Sequence, residues 1–178
     1  MAPLNSDIWA PALKIRPNRA LRLFCFPYAG GGLPVFRGWP DALPESVEVR
    51  VIQLPGRGPR FREKRFEDLA NLARVLSAEI EPLLVDQPFA LFGHSFGALL
   101  AFETARQLRT MGWIPERLIA SGNNAPHIPE PLPPIHGLPD EAFLEELKLL
   151  NGIQPAVLES QELLELFLPI IRSDFKML

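Results

Sequence analysis

Residues 92–97 read FGHSFG, a serine held between two glycines at the end of the apolar run PFALFG (88–93). The pentapeptide Gly93-His94-Ser95-Phe96-Gly97 fits G-x-S-x-G. That motif needs a strand, a sharp turn and a helix, because the serine must take a strained conformation that exposes its hydroxyl. PFALFG supplies the strand. FGALLAFETARQL (96–108) supplies a helix with Ala98, Leu99, Ala101, Phe102, Ala105 and Leu108 turned inward. Gly93 and Gly97, with Ala98 and Ala101 following, leave room for the turn and for close packing of helix on sheet. Ser95 is therefore the candidate nucleophile of a strand-to-helix elbow. The plainer alternative is a glycine-rich turn with a serine in it.

Outward from the elbow, three more apolar runs read as buried strands: LRLFCF (21–26), VEVRVIQL (47–54) and RLIASG (117–122). From Phe66 the positions Leu69, Leu72, Ala73, Leu76, Ile80 and Leu83 share one helical face. Alternating strands and helices imply an α/β architecture, a mostly parallel sheet with helices on both faces. Beyond it, HIPEPLPPIHGLP (127–139) is too rich in proline for helix or central strand and reads as an extended link. DEAFLEELKLLN (140–151) and SQELLELFLPIIRSDFKML (160–178) read as amphipathic helices, the second kinked or divided at Pro169. The chain thus divides into a core over 1–126 and a link with two helices over 127–178. Those helices form either a lid over the strand ends or a further layer on the sheet.

The 178 residues suffice for one domain with a substantial core. A net charge of −3 gives no reason to expect nucleic acid, which calls for a basic face. No apolar run approaches the ~20 residues of a membrane helix, and the N-terminus does not read as a secretory signal. A soluble, cytoplasmic domain is the expectation. The single cysteine, Cys25, lies inside LRLFCF and reads as core.

An elbow serine needs an oxyanion hole, with one donor from the N–H of the next residue, Phe96, and another from the loop after an earlier strand. PYAGGG (27–32) directly follows LRLFCF, and its glycines let the backbone approach a ligand closely. A phosphate cradle fits less well, because GGGLPVF lacks the Gly-Lys-Ser/Thr ending. The charged run RGPRFREKRFED (57–68) carries Arg57, Arg60, Arg62, Lys64 and Arg65 among acids. It reads either as a solvated loop or as a patch that steers an acidic partner.

FPYAGGG, QLPGRGPR, FGHSFGALLAFE, APHIP and LPDEAFLEELKLLNG, in this order, resemble the type II thioesterases of nonribosomal peptide and polyketide synthesis. These are stand-alone α/β-hydrolases that clear stalled acyl or aminoacyl groups from the phosphopantetheine arm of carrier domains. The resemblance runs from about Arg22 to the last residue. It implies Ser95 as nucleophile, the Ala29 and Phe96 N–H groups as oxyanion hole, and a lid from Asp140 onward. The implied partner is a phosphopantetheine-bearing carrier domain. No metal or cofactor is implied, since that arm belongs to the substrate.

In α/β-hydrolases the serine is followed by an acid and then a histidine on later loops. The histidines here are His94, His127 and His136, and the acids between Ser95 and His136 are Glu103, Glu116 and Glu130. His94 fills the variable position of the motif and reads as structural; His127 and His136 belong to the link. By resemblance, the family's aspartate and histidine lie past Leu178, which leaves the last strands missing and RLIASG at a sheet edge. Such a chain is expected to be a weak thioesterase, since a serine without its base keeps only ~10³–10⁴ of acceleration over water. The rival readings are a carboxylesterase or acyltransferase on the same scaffold, and a non-catalytic fragment that binds carrier domains.

Overall fold

The computed structural model describes residues 5–125, 128, 134–150, 152–153 and 155–178. Helix α1 (Asn5–Trp9) leads to strand β1 (Leu21–Phe26). A 3-10 turn (Leu33–Phe36) and the short helix α2 (Trp39–Ala42) precede strand β2 (Val47–Val51). Helix α3 (Leu69–Ile80), strand β3 (Phe89–His94), helix α4 (Phe96–Thr110) and strand β4 (Arg117–Ser121) complete the sheet and its cover. Helices α5 (Asp140–Leu149), α6 (Pro155–Leu158) and α7 (Gln161–Phe175) follow.

All four strands run parallel in the order β2-β1-β3-β4, as the alternation of strand and helix predicts. Successive side chains leave a strand on opposite faces. Phe24, Phe26, Phe89 and Leu91 therefore join Leu72 and Leu76 of α3, Phe96, Leu100 and Leu108 of α4, and Phe143, Leu147 and Ile171 of the C-terminal helices. Leu23, Cys25, Val49, Val51 and Ala90 meet Phe36 and Trp39 on the other face. That second cover is thin, a 3-10 turn and a four-residue helix. Burial pushes the Cys25 thiol far above its ordinary pKa, which fits its reading as core.

The two sheet edges differ. The free side of β2 is met by residues 9–13, through Leu13 N–H to Val49 O (3.0 Å), Val51 N–H to Pro11 O (3.1 Å) and Gln53 N–H to Trp9 O (2.8 Å). Among the described residues nothing pairs with the outer side of β4, where Leu118 and Ile119 are 37% and 48% exposed.

Several boundaries depart from the sequence reading. Strand β2 stops at Val51, although Ile52 N–H still donates to Cys25 O (2.9 Å), because the chain then enters tight turns at Gly56 and Gly58 with φ of 85° and 53°. Helix α3 starts at Leu69 because Asp68 caps it, its carboxylate accepting from Asn71 N–H (2.6 Å). Phe66 stays outside the helix, edge-on to Trp9. Helix α7 is not divided at Pro169: it runs unbroken, with Ile170 and Ile171 buried, although proline cannot donate to Glu165. Residues 127 and 129–133 of the proline-rich link lie outside the described residues.

Helix α4 lies unusually close to the strands. A Cβ on Gly97 would sit 2.1 Å from the Phe26 carbonyl oxygen, and one on Gly93 would sit 2.1 Å from Gly97 O. At the opposite, N-terminal end of the strands, charge is buried. Glu48, 1% exposed, accepts at Oε2 from Arg22 Nε (2.8 Å) and Arg50 Nε (2.9 Å). Arg22 also donates to Leu83 O and Asp86. Burial by itself would raise the Glu48 pKa, but the hydrogen bonds and charges of Arg50 and Arg22 outweigh it and hold the carboxyl below its ordinary 4.5.

Two outcomes follow from these contacts. A folded-state pKa below the unfolded one stabilises the protein above pH 4.5, and that contribution is lost as pH falls through the folded value. Glu48→Gln should therefore cost about 3 kcal/mol at pH 7. The gap to the parent should narrow in urea unfolding carried out below pH 4.5; an undiminished gap would show that the carboxylate charge is not what stabilises. Gly97→Ala should destabilise by about 3 kcal/mol, the upper end for overpacking, because backbone must move and not a side chain. Thermal unfolding measures it, and a shift within error would refute the tight approach.

Candidate active site

Ser95 lies between β3 and α4 with φ 54° and ψ −123°, the sole non-glycine residue at positive φ among those described. Such a conformation costs of order 1–3 kcal/mol and persists only where its surroundings impose it. Here the imposing contacts are specific. Ser95 N–H donates to Ser121 O at the end of β4 (2.8 Å), and Ser95 O accepts from Ala98 N–H (2.8 Å) and Asn123 Nδ2 (3.2 Å). Serine at a helix N-cap ordinarily bonds an N–H of the first turn. Ser95 makes no such side-chain bond, so its hydroxyl is not committed to the helix.

The PYAGGG loop stands beside this turn. Strands β1 and β3 are neighbours in register, Phe26 opposite Gly93, so the loop after β1 and the turn after β3 leave the same end of the sheet side by side. Gly97 abuts the backbone of Phe26 and Pro27, and the Tyr28 ring stands edge-on to His94 at 6.3 Å. Within the loop, Gly31 N–H donates to Tyr28 O (2.8 Å). Among the described residues neither the Ala29 N–H nor the Phe96 N–H is taken by a protein acceptor.

The histidines are arranged otherwise. Nδ1 of the exposed His94 is 3.1 Å from Ser121 Oγ, and the ring fills the space beside Gly122. His136 has a buried, unpartnered Nδ1, while its carbonyl accepts from Arg172. His127 and Glu130 lie outside the described residues. Glu103 pairs with Arg106 (3.0 Å), and Glu116 is exposed before β4. Neither described histidine is hydrogen-bonded to Ser95. Among the described residues no cluster of His, Cys, Asp and Glu is suited to hold a metal.

The basic run divides into buried and exposed members. Arg57 and Arg60 are buried. Arg60 grips Glu63 with Nε (2.9 Å) and Nη2 (2.6 Å), donates to Gln53 O (2.8 Å) and stacks 3.9 Å over the Trp9 ring. These contacts make Arg60 a packing residue, which removes both arginines from any docking surface. Arg62 and Lys64 remain exposed.

Arg57 reaches the candidate site instead. Its guanidinium forms a fork with Asp174 in the last turn of α7, Nη2 to Oδ1 at 2.7 Å and Nη1 to Oδ2 at 2.9 Å. Nη1 also donates to Gly31 O (3.2 Å), and Asp174 Oδ2 accepts from Gly30 N–H (2.7 Å). Sequence reasoning left Asp174 out altogether. One signal was available: a carboxylate in a helix's last turn opposes the macrodipole, so an aspartate there calls for a cation.

Residues 21–178 match the family described as thioesterase domain. Gramicidin S biosynthesis protein GrsT of Aneurinibacillus migulanus is 42% identical, over 94% of this chain and 65% of its own. Thioesterase PikA5 of Streptomyces venezuelae is 43% identical, over 98% of this chain and 63% of its own. The chain thus spans less than two thirds of these relatives' length. Among solved structures, the type II thioesterase BorB from the borrelidin biosynthetic cluster superposes with a TM-score of 0.84 at 37% identity, covering 96% of this chain and 69% of that one. In fold and in sequence alike, this chain belongs to the thioesterase domain family, among its type II thioesterases of the α/β-hydrolase fold.

Proposed function

We propose that the protein hydrolyses acyl or aminoacyl thioesters carried on the phosphopantetheine arm of a carrier domain, with Ser95 as nucleophile. One observation carries this reading: a serine at φ 54° whose hydroxyl caps nothing, beside a loop with a free N–H. The Ser95 oxygen attacks the acyl carbon, its proton passes to a base, and the carbonyl oxygen becomes an oxyanion facing the Ala29 and Phe96 N–H groups. Collapse breaks the carbon–sulfur bond and releases the thiol; water then takes the acyl group from Ser95. A thioester suits such a site because thiolate leaves readily and the developing charge lies on one oxygen.

Gly93 and Gly97 serve by letting α4 approach the backbone of Phe26 and Pro27, where the loop begins. Helices α5 to α7 form the lid in this reading, and the enzyme works in the cytoplasm on its carrier partner. Among the described residues no helix is long and apolar enough to cross a membrane. Relatives point the same way: the solved type II thioesterase YbtT is described as from the yersiniabactin NRPS/PKS biosynthetic pathway.

Ser95→Ala should lower acyl-thioester hydrolysis to the uncatalysed background, and electrospray mass measurement should find the acyl adduct in the parent alone. His94→Ala should leave the Ser95-dependent rate within about twofold, because that ring bonds Ser121 and not the nucleophile. Equal turnover in Ser95→Ala would end the serine mechanism. Loss in His94→Ala as complete as in Ser95→Ala would make His94 the base.

A further inference from the structure

We infer that Asp174 and Arg57 form a positioning pair that sets the direction of the Ala29 N–H, and so couples helix α7 to the oxyanion loop. The inference rests on the thioesterase reading for its catalytic consequence, and on the loop's own geometry for its structural part.

The loop is fixed one peptide plane at a time. In a trans peptide the C=O of one residue and the N–H of the next share a plane and point in opposite directions. Tyr28 O is turned inward to accept from Gly31 N–H, so the Ala29 N–H in the same plane must face the other way. The next plane ends in the Gly30 N–H, which Asp174 Oδ2 holds at 2.7 Å. Arg57 then holds Gly31 O at 3.2 Å with the Nη1 that also bonds Asp174. The three planes from Tyr28 to Gly31 are thereby tied, and of the Ala29, Gly30 and Gly31 N–H groups only that of Ala29 is left without an acceptor among the described residues.

Helix α7 reaches the loop on one face, since Ile171 and Asp174 are three residues apart. Gly30 has φ 76°, and a Cβ there would lie 2.6 Å from Ile171 Cγ1. Arg57 is itself held from behind, its carbonyl accepting from Gln53 Nε2 (3.0 Å).

Stability alone is a poor reason for this arrangement. Asp174 is 1% and Arg57 5% exposed, and the carboxylate opposes the helix dipole. Arg57 Nε is buried with no partner. Buried pairs often do no better than apolar residues of the same volume. What an apolar pair cannot do is hold an N–H and a carbonyl of a neighbouring loop at once.

Asp174→Asn and Arg57→Lys test the pair, because each keeps size while losing the charge or the fork. Ser173→Ala, on the same helix but bonded only to Ile170 O, serves as the control. Three readouts are taken: thermal unfolding, amide exchange and chemical shift at Ala29 and Gly30, and acyl-thioester kinetics. Affinity for an alkyl trifluoromethyl ketone, which forms an oxyanion on Ser95, is compared with that for the matching thioether. Expected in both pair variants are faster Gly30 exchange, a shifted Ala29 amide, and kcat and ketone affinity lowered about 10²-fold. KM and thioether affinity should hold within a few-fold, and Ser173→Ala should match the parent throughout. Unchanged Ala29 and Gly30 signals would overturn the inference, as would losses shared equally by ketone and thioether. A parent with neither turnover nor ketone binding would remove the thioesterase reading instead, while the amide signals still decide whether the pair sets the loop.

Discussion

The bend at Ser95 is the constraint to which the rest of this fold answers. A β-strand must stop and an α-helix begin within one residue, at a φ that side chains disfavour. The strain is sustained because both backbone groups of Ser95 are engaged, one by β4 and the other by the first turn of α4 and Asn123. Strand β4 therefore does more than extend the sheet: its last carbonyl fixes the turn. Helix α4 can occupy its place only because Gly93 and Gly97 present no Cβ to the backbone beside them.

Buried charge sits at the two ends of the sheet and has a different character at each. At the N-terminal end, Glu48 is enclosed by Arg50 of its own strand β2 and by Arg22 of β1, its partner across the two strands. At the C-terminal end, Asp174 and Arg57 also bind main-chain groups of the loop that lies beside the Ser95 turn. Parallel α/β sheets carry their ligands at the C-terminal ends of the strands, and the pair that touches loop backbone lies there.

The C-terminal helices are joined to this framework by polar anchors as well as by Phe143, Leu147 and Ile171 in the core. Arg172 donates to Leu138 O (2.7 Å) and Asp140 (2.6 Å) and lies 4.2 Å from the Phe143 ring centre, tying α5 to α7. Lys176 meets Glu67 ahead of α3. Ile171 and Asp174 are the side chains through which α7 meets Gly30 in the loop after β1.

Local pattern was enough for much of this. Period and composition marked all four strands and helices α3, α4, α5 and α7, because a parallel sheet covered on both faces leaves short, nearly unbroken apolar runs. Strand β4, read from its apolar run as buried, is instead exposed, since among the described residues nothing covers its outer side. G-x-S-x-G located the turn because Gly93 answers to the Gly97 and Ala98 backbone a few residues on, although Gly97 itself answers to Phe26 and Pro27 at the end of β1. Where helix α3 begins, where β2 ends and whether Pro169 breaks α7 depended on a cap, a pair of glycine turns and a buried face. The roles of the arginines depended on contacts more distant still. Arg57 and Arg60 look alike in a charged run, yet one packs on Trp9 and the other pairs with an aspartate 117 residues away. A linear pattern reports periodicity along one element; which charge meets which across the fold is set when separate elements exclude water together.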